Sequence, residues 1–185
     1  MREDISELDK NIHSLHSVLR ERIVEHVFVG DVLRRLWQRG ITDVEVMRSE
    51  FDAGGYDLVM ARGKIVRHIQ LKTMIHDGKA ARTTIGIKLA EKPSGCIIWI
   101  IVDPELVLRS YLWFGGLPGE ALPDITTLKV AKHSKGDATG SKNDRPNHRI
   151  LPRGKFQKIL DDDPVKNLDS ILEHLFGTLE SEKVT

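Results

Sequence analysis

Gly55-Tyr56-Asp57-Leu58-Val59, a short turn, and then Ile69-Gln70-Leu71-Lys72-Thr73 are the residues that decide how this chain is read. Apolar and polar residues alternate on either side of Arg62-Gly63, the pattern of two antiparallel strands joined by a tight turn. With strands over residues 58 to 61 and 64 to 73, Ala61 faces Lys64, Asp57 faces His68, and Gln70 is the diagonal neighbour of Asp57. Side chains alternate along a strand, so His68, Gln70 and Lys72 share a face with Asp57, while Leu58, Met60, Ile65, Ile69 and Leu71 share the other. A half-buried hairpin accounts for the apolar face. It gives no reason for a carboxylate, an amide and an ammonium to converge opposite it, and that convergence marks a site.

Upstream, Leu15, Val18, Leu19, Ile23, Val27, Val32, Leu33, Leu36 and Trp37 recur at threes and fours over residues 15 to 39, the spacing of an amphipathic helix that Gly40 stops. Residues 1 to 14 either continue that helix or form an arm. Val44-Glu45-Val46-Met47 reads as a short strand, and Asp52-Ala53-Gly54-Gly55 as the loop into the hairpin. Residues 83 to 92 read as a helix, or as a strand passing into one. Cys96 to Val102 is continuously apolar, as in a strand buried on both faces, and Leu106 to Phe114 is a further strand ended by Gly115-Gly116-Leu117-Pro118-Gly119.

From Lys129 to Lys155 the composition turns basic, with Lys132, Lys142, Arg145 and Arg149 among its cations and Pro and Gly interrupting regular structure. This predicts a basic, loop-rich insertion over 129–155. A closing amphipathic helix follows over 165–180, with Asp163-Pro164 as its cap and first-turn proline.

A chain of 185 residues, 40% hydrophobic and 30% charged, fits one globular domain, residues 1–185. Its formal net charge of +1 decides nothing about a polyanionic partner, because a local patch hides within a balanced total. The single cysteine, Cys96, rules out a disulfide framework and predicts a buried thiol in a reducing, cytoplasmic setting. Met1-Arg2-Glu3-Asp4 carries no apolar signal core, and the apolar run at 95–102 falls short of the roughly 20 residues a bilayer span needs. A soluble protein with no membrane partner is expected. His133 and His148 lack the neighbours of a zinc site.

Glu25 on the early helix, Asp57 entering the hairpin and Gln70-Leu71-Lys72 on its second strand together resemble the PD-(D/E)xK nuclease superfamily. The likeness is closest to its Mrr-type and resolvase-like branches, where Gln often replaces the second acidic residue. Glu25, Val29, Leu33 and Gly40 resemble the family's helical pattern of Glu, small residue, Leu and Gly. The likeness covers residues 21 to 73 by motif and, more loosely, the strands through 114. It implies a restriction-endonuclease-like α/β three-layer sandwich, a central mixed β-sheet flanked by helices.

It also implies a metal-dependent endonuclease acting on DNA, with RNA left open, working as a homodimer because duplex cleavage needs two centres. Mg²⁺, with Mn²⁺ able to substitute, is the expected cofactor. Asp57 is its principal ligand, Glu25 a second, and Gln70 and the Leu71 carbonyl supply further oxygens. Lys72 orients the attacking water or faces developing charge. Mg²⁺ retains several waters and needs only one or two carboxylates, so this donor set suits it. Arg145, Arg149, Lys132 and Lys142 are the expected nucleic-acid contacts. Gln70 brings oxygen without charge, and this motivates an alternative: a catalytically inactive nuclease-fold module that binds nucleic acid or a protein partner.

Overall fold

The structure is a computed structural model that describes residues 12, 13, 15–50, 54–133 and 142–179. Most of the amino-terminal segment, Asp52, the tail from Ser181 and the middle of the basic segment lie outside the described residues.

Gly95–Val102, strand β5, is the centre of the molecule, and all eight of its residues are buried. Its neighbours explain why. In the six-stranded main sheet the order is β1-β2-β3-β5-β6-β9, with β1 at Val44–Arg48, β2 at Leu58–Arg62, β3 at Ile65–Ile75, β6 at Leu108–Gly115 and β9 at Gln157–Ile159. β3 and β5 run parallel, and the remaining pairs are antiparallel, so the sheet is mixed. Alternation along β5 sends Cys96, Ile98, Ile100 and Val102 into one core and Ile97, Trp99 and Ile101 into the other. Cys96 is fully buried and its thiol is pushed up to about 12 by loss of solvation, so it is an inert core residue.

The first core lies beneath two helices, α1 (Ser17–Gln38) and α2 (Pro164–Phe176). α1 buries Val24, Phe28, Val32 and Leu36, one residue per turn. This differs from the expected face: Leu15, Val18, Leu19, Ile23, Leu33 and Trp37 are exposed. The helix carries more apolar positions than one core stripe can use, and the sheet takes the stripe that includes Phe28. Gly40 stops the helix as expected, at φ 73°, and Ile41 N–H donates to the Leu36 carbonyl at 2.9 Å, closing a Schellman turn between two buried side chains. At α2, Asp163 accepts the Val165 N–H at 2.9 Å and Pro164 occupies the first turn, so the acidic run at 161–163 serves as a cap.

The other face is covered by a three-stranded sheet ordered β4-β8-β7, with β4 at Arg82–Gly86, β7 at Val130–Lys132 and β8 at Asp144–Pro152, and by a 3₁₀ helix at Ile87–Glu91. The result is three layers with the mixed sheet in the middle. Residues 83–92 are thus a strand passing into a helix. In its described part the basic segment is not all loop: β8 pairs along β4 from Arg82↔Pro152 to Gly86↔His148. Pro146 and Pro152 punctuate that strand without preventing its pairing.

The hairpin forms with one correction. Its turn is Gly63-Lys64, with Gly63 at φ 55°, and Arg62 pairs with Ile65. Moving the turn by one residue shifts the register by two, so each side chain keeps its face but changes partner. His68 stands opposite Val59, and the same register carried one step outward sets Asp57 opposite Gln70.

Candidate functional site at the open edge of the third strand

β2 begins at Leu58, opposite Ile69, whereas β3 runs on to Ile75. Beyond Ile69, β3 is therefore bonded to β5 on one side and lacks a β2 partner on the other. Asp57 fills the first step of that gap. Its backbone N–H donates to the Ile69 carbonyl at 2.9 Å, and its Oδ2 accepts the Leu71 N–H at 2.7 Å. A residue's N–H and C=O point to the same side of a strand, so the Leu71 carbonyl is also directed towards the open edge.

Gly55 makes this entry feasible. At φ 72° it is left-handed, and a Cβ there would meet the Leu89 backbone nitrogen at 3.2 Å. The loop before Asp57 thereby packs directly on the 3₁₀ helix.

A cavity of about 450 Å³ wraps this edge, drawing residues from both faces of the sheet. Asp57, Leu71, Lys72 and Thr73 line it from the hairpin, Glu21, Arg22 and Glu25 from α1, Arg82 and Thr83 from β4, and Trp99 from β5. Asp57, Lys72, Leu71 and Glu25, named from the sequence, therefore meet. Arg22, Arg82 and Trp99 were missed. Arg22 was legible as the residue three before Glu25 on a helix, whereas Arg82 and Trp99 arrive only through tertiary pairing, Trp99 opposite Lys72.

Glu25 is buried and doubly engaged: Arg22 Nη1 lies 3.0 Å from Oε2, and Arg48 Nη1, from the end of β1, lies 2.8 Å from Oε1. Both oxygens of the expected second ligand thus face guanidinium groups. Gln70 does not line the cavity. It is buried beside it, and its Oε1 has no hydrogen-bond partner among the described residues. Next along the same face, His68 Nδ1 is likewise unpartnered, its ring edge-on to Tyr56 at 5.0 Å. Burial lowers the His68 pKa, and the nearby Lys92 charge lowers it further, so this imidazole is neutral at pH 7.

Among the described residues no group of three or more His, Cys, Asp or Glu side chains is close enough together to hold a metal ion. The oxygen donors on the edge are nevertheless of the type a hard cation takes: the Asp57 carboxylate, the Leu71 carbonyl side, and the orphaned Gln70 amide oxygen behind them. One carboxylate with retained waters fits Mg²⁺, whereas Glu25 could contribute only by giving up an arginine.

Of the expected nucleic-acid contacts, Lys132 and Lys142 line a second cavity on the small sheet. Arg149 is instead folded onto its own strand, Nη1 donating to the Pro146 carbonyl at 2.7 Å, and Arg145 Nη2 lies 2.8 Å from His148 Nε2.

No family model and no curated protein matches this chain. Among solved structures, a Holliday junction resolvase of Archaeoglobus fulgidus, Hjc, is similar at 15% identity and a TM-score of 0.32, over 46% of this chain and 73% of that one. Likeness at that level transfers neither residues nor activity. No helix of the described residues is long and apolar enough to cross a membrane.

Proposed function

We propose that this protein is a PD-(D/E)xK-type, divalent-metal-dependent endonuclease that hydrolyses phosphodiester bonds in DNA. The observation that carries the reading is the meeting of Asp57, Lys72, the Leu71 backbone and Glu25 in one cavity at the single edge where β3 is left open. A bound Mg²⁺ or Mn²⁺ would offset the charge that gathers on the phosphoryl oxygens during hydrolysis. Asp57 and the Leu71 carbonyl would hold that cation, and Gln70 would offer an uncharged oxygen behind them. Lys72 orients the attacking water and faces the developing negative charge. Arg22, on the α1 side of the cavity and tethered by Glu25, offers a guanidinium to a phosphate oxygen.

A homodimer working on duplex DNA in the cytoplasm completes the reading, since one centre cuts one strand. Incubating supercoiled plasmid with the purified protein and Mg²⁺ or Mn²⁺ tests it. Nicked or linear product that disappears in Asp57→Ala and Lys72→Ala, both still folded, is the expected result.

A second reading has its own support. The two guanidiniums on Glu25 occupy it as a cation would, and Gln70 adds no charge, as in a nuclease fold that has kept binding and lost metal. It expects salt-sensitive DNA binding with no dependence on Mg²⁺.

A further inference from the structure

The small sheet carries a second cavity, about 590 Å³, lined from the start of β4, from β7 and its flanks, and from Ile150 of β8. Arg82 and Thr83 line both this cavity and the one at Asp57, so the two adjoin at the start of β4. Their electrostatics differ. The first cavity mixes three carboxylates with its cations, whereas the second is lined by Arg82, Lys129, Lys132 and Lys142 and, among the described residues, by no carboxylate. Asp144 reaches Lys132 only at 3.8 Å, with both side chains more than half exposed, so it does little to neutralise that lysine.

The same wall includes Thr83 and Thr84 and, among the described residues, no Phe, Tyr or Trp; its one aromatic ring is the His133 imidazole. Bases would find one imidazole to stack on, whereas phosphate oxygens would find four cations and two threonine hydroxyls. β7 and β8 hold the array open: Ile150 N–H donates to the Lys129 carbonyl at 2.8 Å, fixing the Lys129 backbone against the sheet.

We propose that this face is a binding track for the sugar-phosphate backbone of duplex DNA, read without regard to sequence, which carries a strand from the Asp57 cavity across Arg82 to Lys129, Lys132 and Lys142. The path into the Asp57 cavity rests on the nuclease reading; the binding surface itself does not.

The test is fluorescence anisotropy with a labelled DNA duplex in EDTA, over a series of salt concentrations, for wild type, Lys129→Glu/Lys132→Glu and Asp57→Asn. Both lysines are solvent-exposed, so the double variant should melt like wild type. Its affinity is expected to fall at least about tenfold, and the slope of log affinity against log salt to flatten by about 2, one phosphate contact per lysine. Asp57→Asn is expected to bind at least as well as wild type. A double variant with wild-type affinity and slope, or a wild type that binds no duplex, overturns the proposal. Wild-type binding that the double variant loses, without cleavage in any cation, upholds the track and defeats the nuclease reading alone.

Discussion

Asp57 Oδ2 accepts the Leu71 backbone N–H at 2.7 Å, so a side chain takes the ladder position that β2 leaves empty. The carboxylate is thereby oriented at the open edge before any ligand arrives. Asn can accept the same N–H but brings no charge. Asp57→Asn is expected to stay within about 1 kcal/mol of wild-type stability while cleavage falls at least about a hundredfold. Urea denaturation beside a plasmid assay checks this. An Asn variant that cuts normally removes Asp57 from the chemistry.

Gln70 places an unpartnered amide oxygen in a buried position beside Asp57. Gln70→Glu adds charge where oxygen is already present. Without metal the variant is expected to lose about 1–3 kcal/mol, the cost of a buried carboxylate lacking partners. With Mg²⁺ it is expected to regain stability and to bind the cation about tenfold more tightly. Melting curves with and without Mg²⁺, and calorimetric titration, read both effects. Equal destabilisation in the two conditions means that no cation reaches this oxygen.

Arg67 is fully buried, and its guanidinium donates to the carbonyls of His174, Leu175 and Gly116 and to Ser94 Oγ. Two of these are last-turn carbonyls of α2, so Arg67 caps that helix and pins it to the sheet. Burial lowers its pKa, yet an arginine stays charged at any working pH. Arg67→Met strands the four acceptors and is expected to cost about 3 kcal/mol or more, read by urea denaturation. Arg67→Lys is expected to recover only part, since an ammonium lacks the fork that reaches all of them. A Met variant of unchanged stability would mean that the cap is dispensable.

β5 was legible because Gly95 is followed by seven consecutive apolar residues, too short and too rich in β-branched side chains for a buried helix. The Asp57 face was legible because alternation survives a register error of two. The register itself was not: Arg62-Gly63 and Gly63-Lys64 are both acceptable two-residue turns, and only the paired backbone chooses. Arg67 left a signal that went unread, since it falls between Ile65 and Ile69 on the apolar face. The core stripe of α1 was obscured by exposed Leu15, Leu19, Ile23 and Trp37, which match helical spacing equally well. Arg48 could not have been joined to Glu25 without knowing where β1 ends.

Arg35 grips Asp169 with two hydrogen bonds of 2.7 Å, tying α1 to α2. The Arg35 bonds hold the Asp169 carboxyl below its ordinary range, outweighing its partial burial. A depressed carboxyl contributes its full stability above its unfolded pKa of about 4 and loses it as pH falls through the lower folded value. Asp169→Asn is expected to cost about 1–2 kcal/mol at pH 7, with the gap to wild type narrowing below pH 4. A gap that stays constant down to pH 2 contradicts the assignment.

The most direct measurement is a calorimetric titration of the purified protein with Mg²⁺ and Mn²⁺, beside Asp57→Ala, with cleavage of supercoiled DNA scored on the same preparations. Cation binding and nicking present in wild type and absent together from the folded variant are the expected result. A wild type that binds neither cation and leaves the plasmid intact contradicts the nuclease assignment.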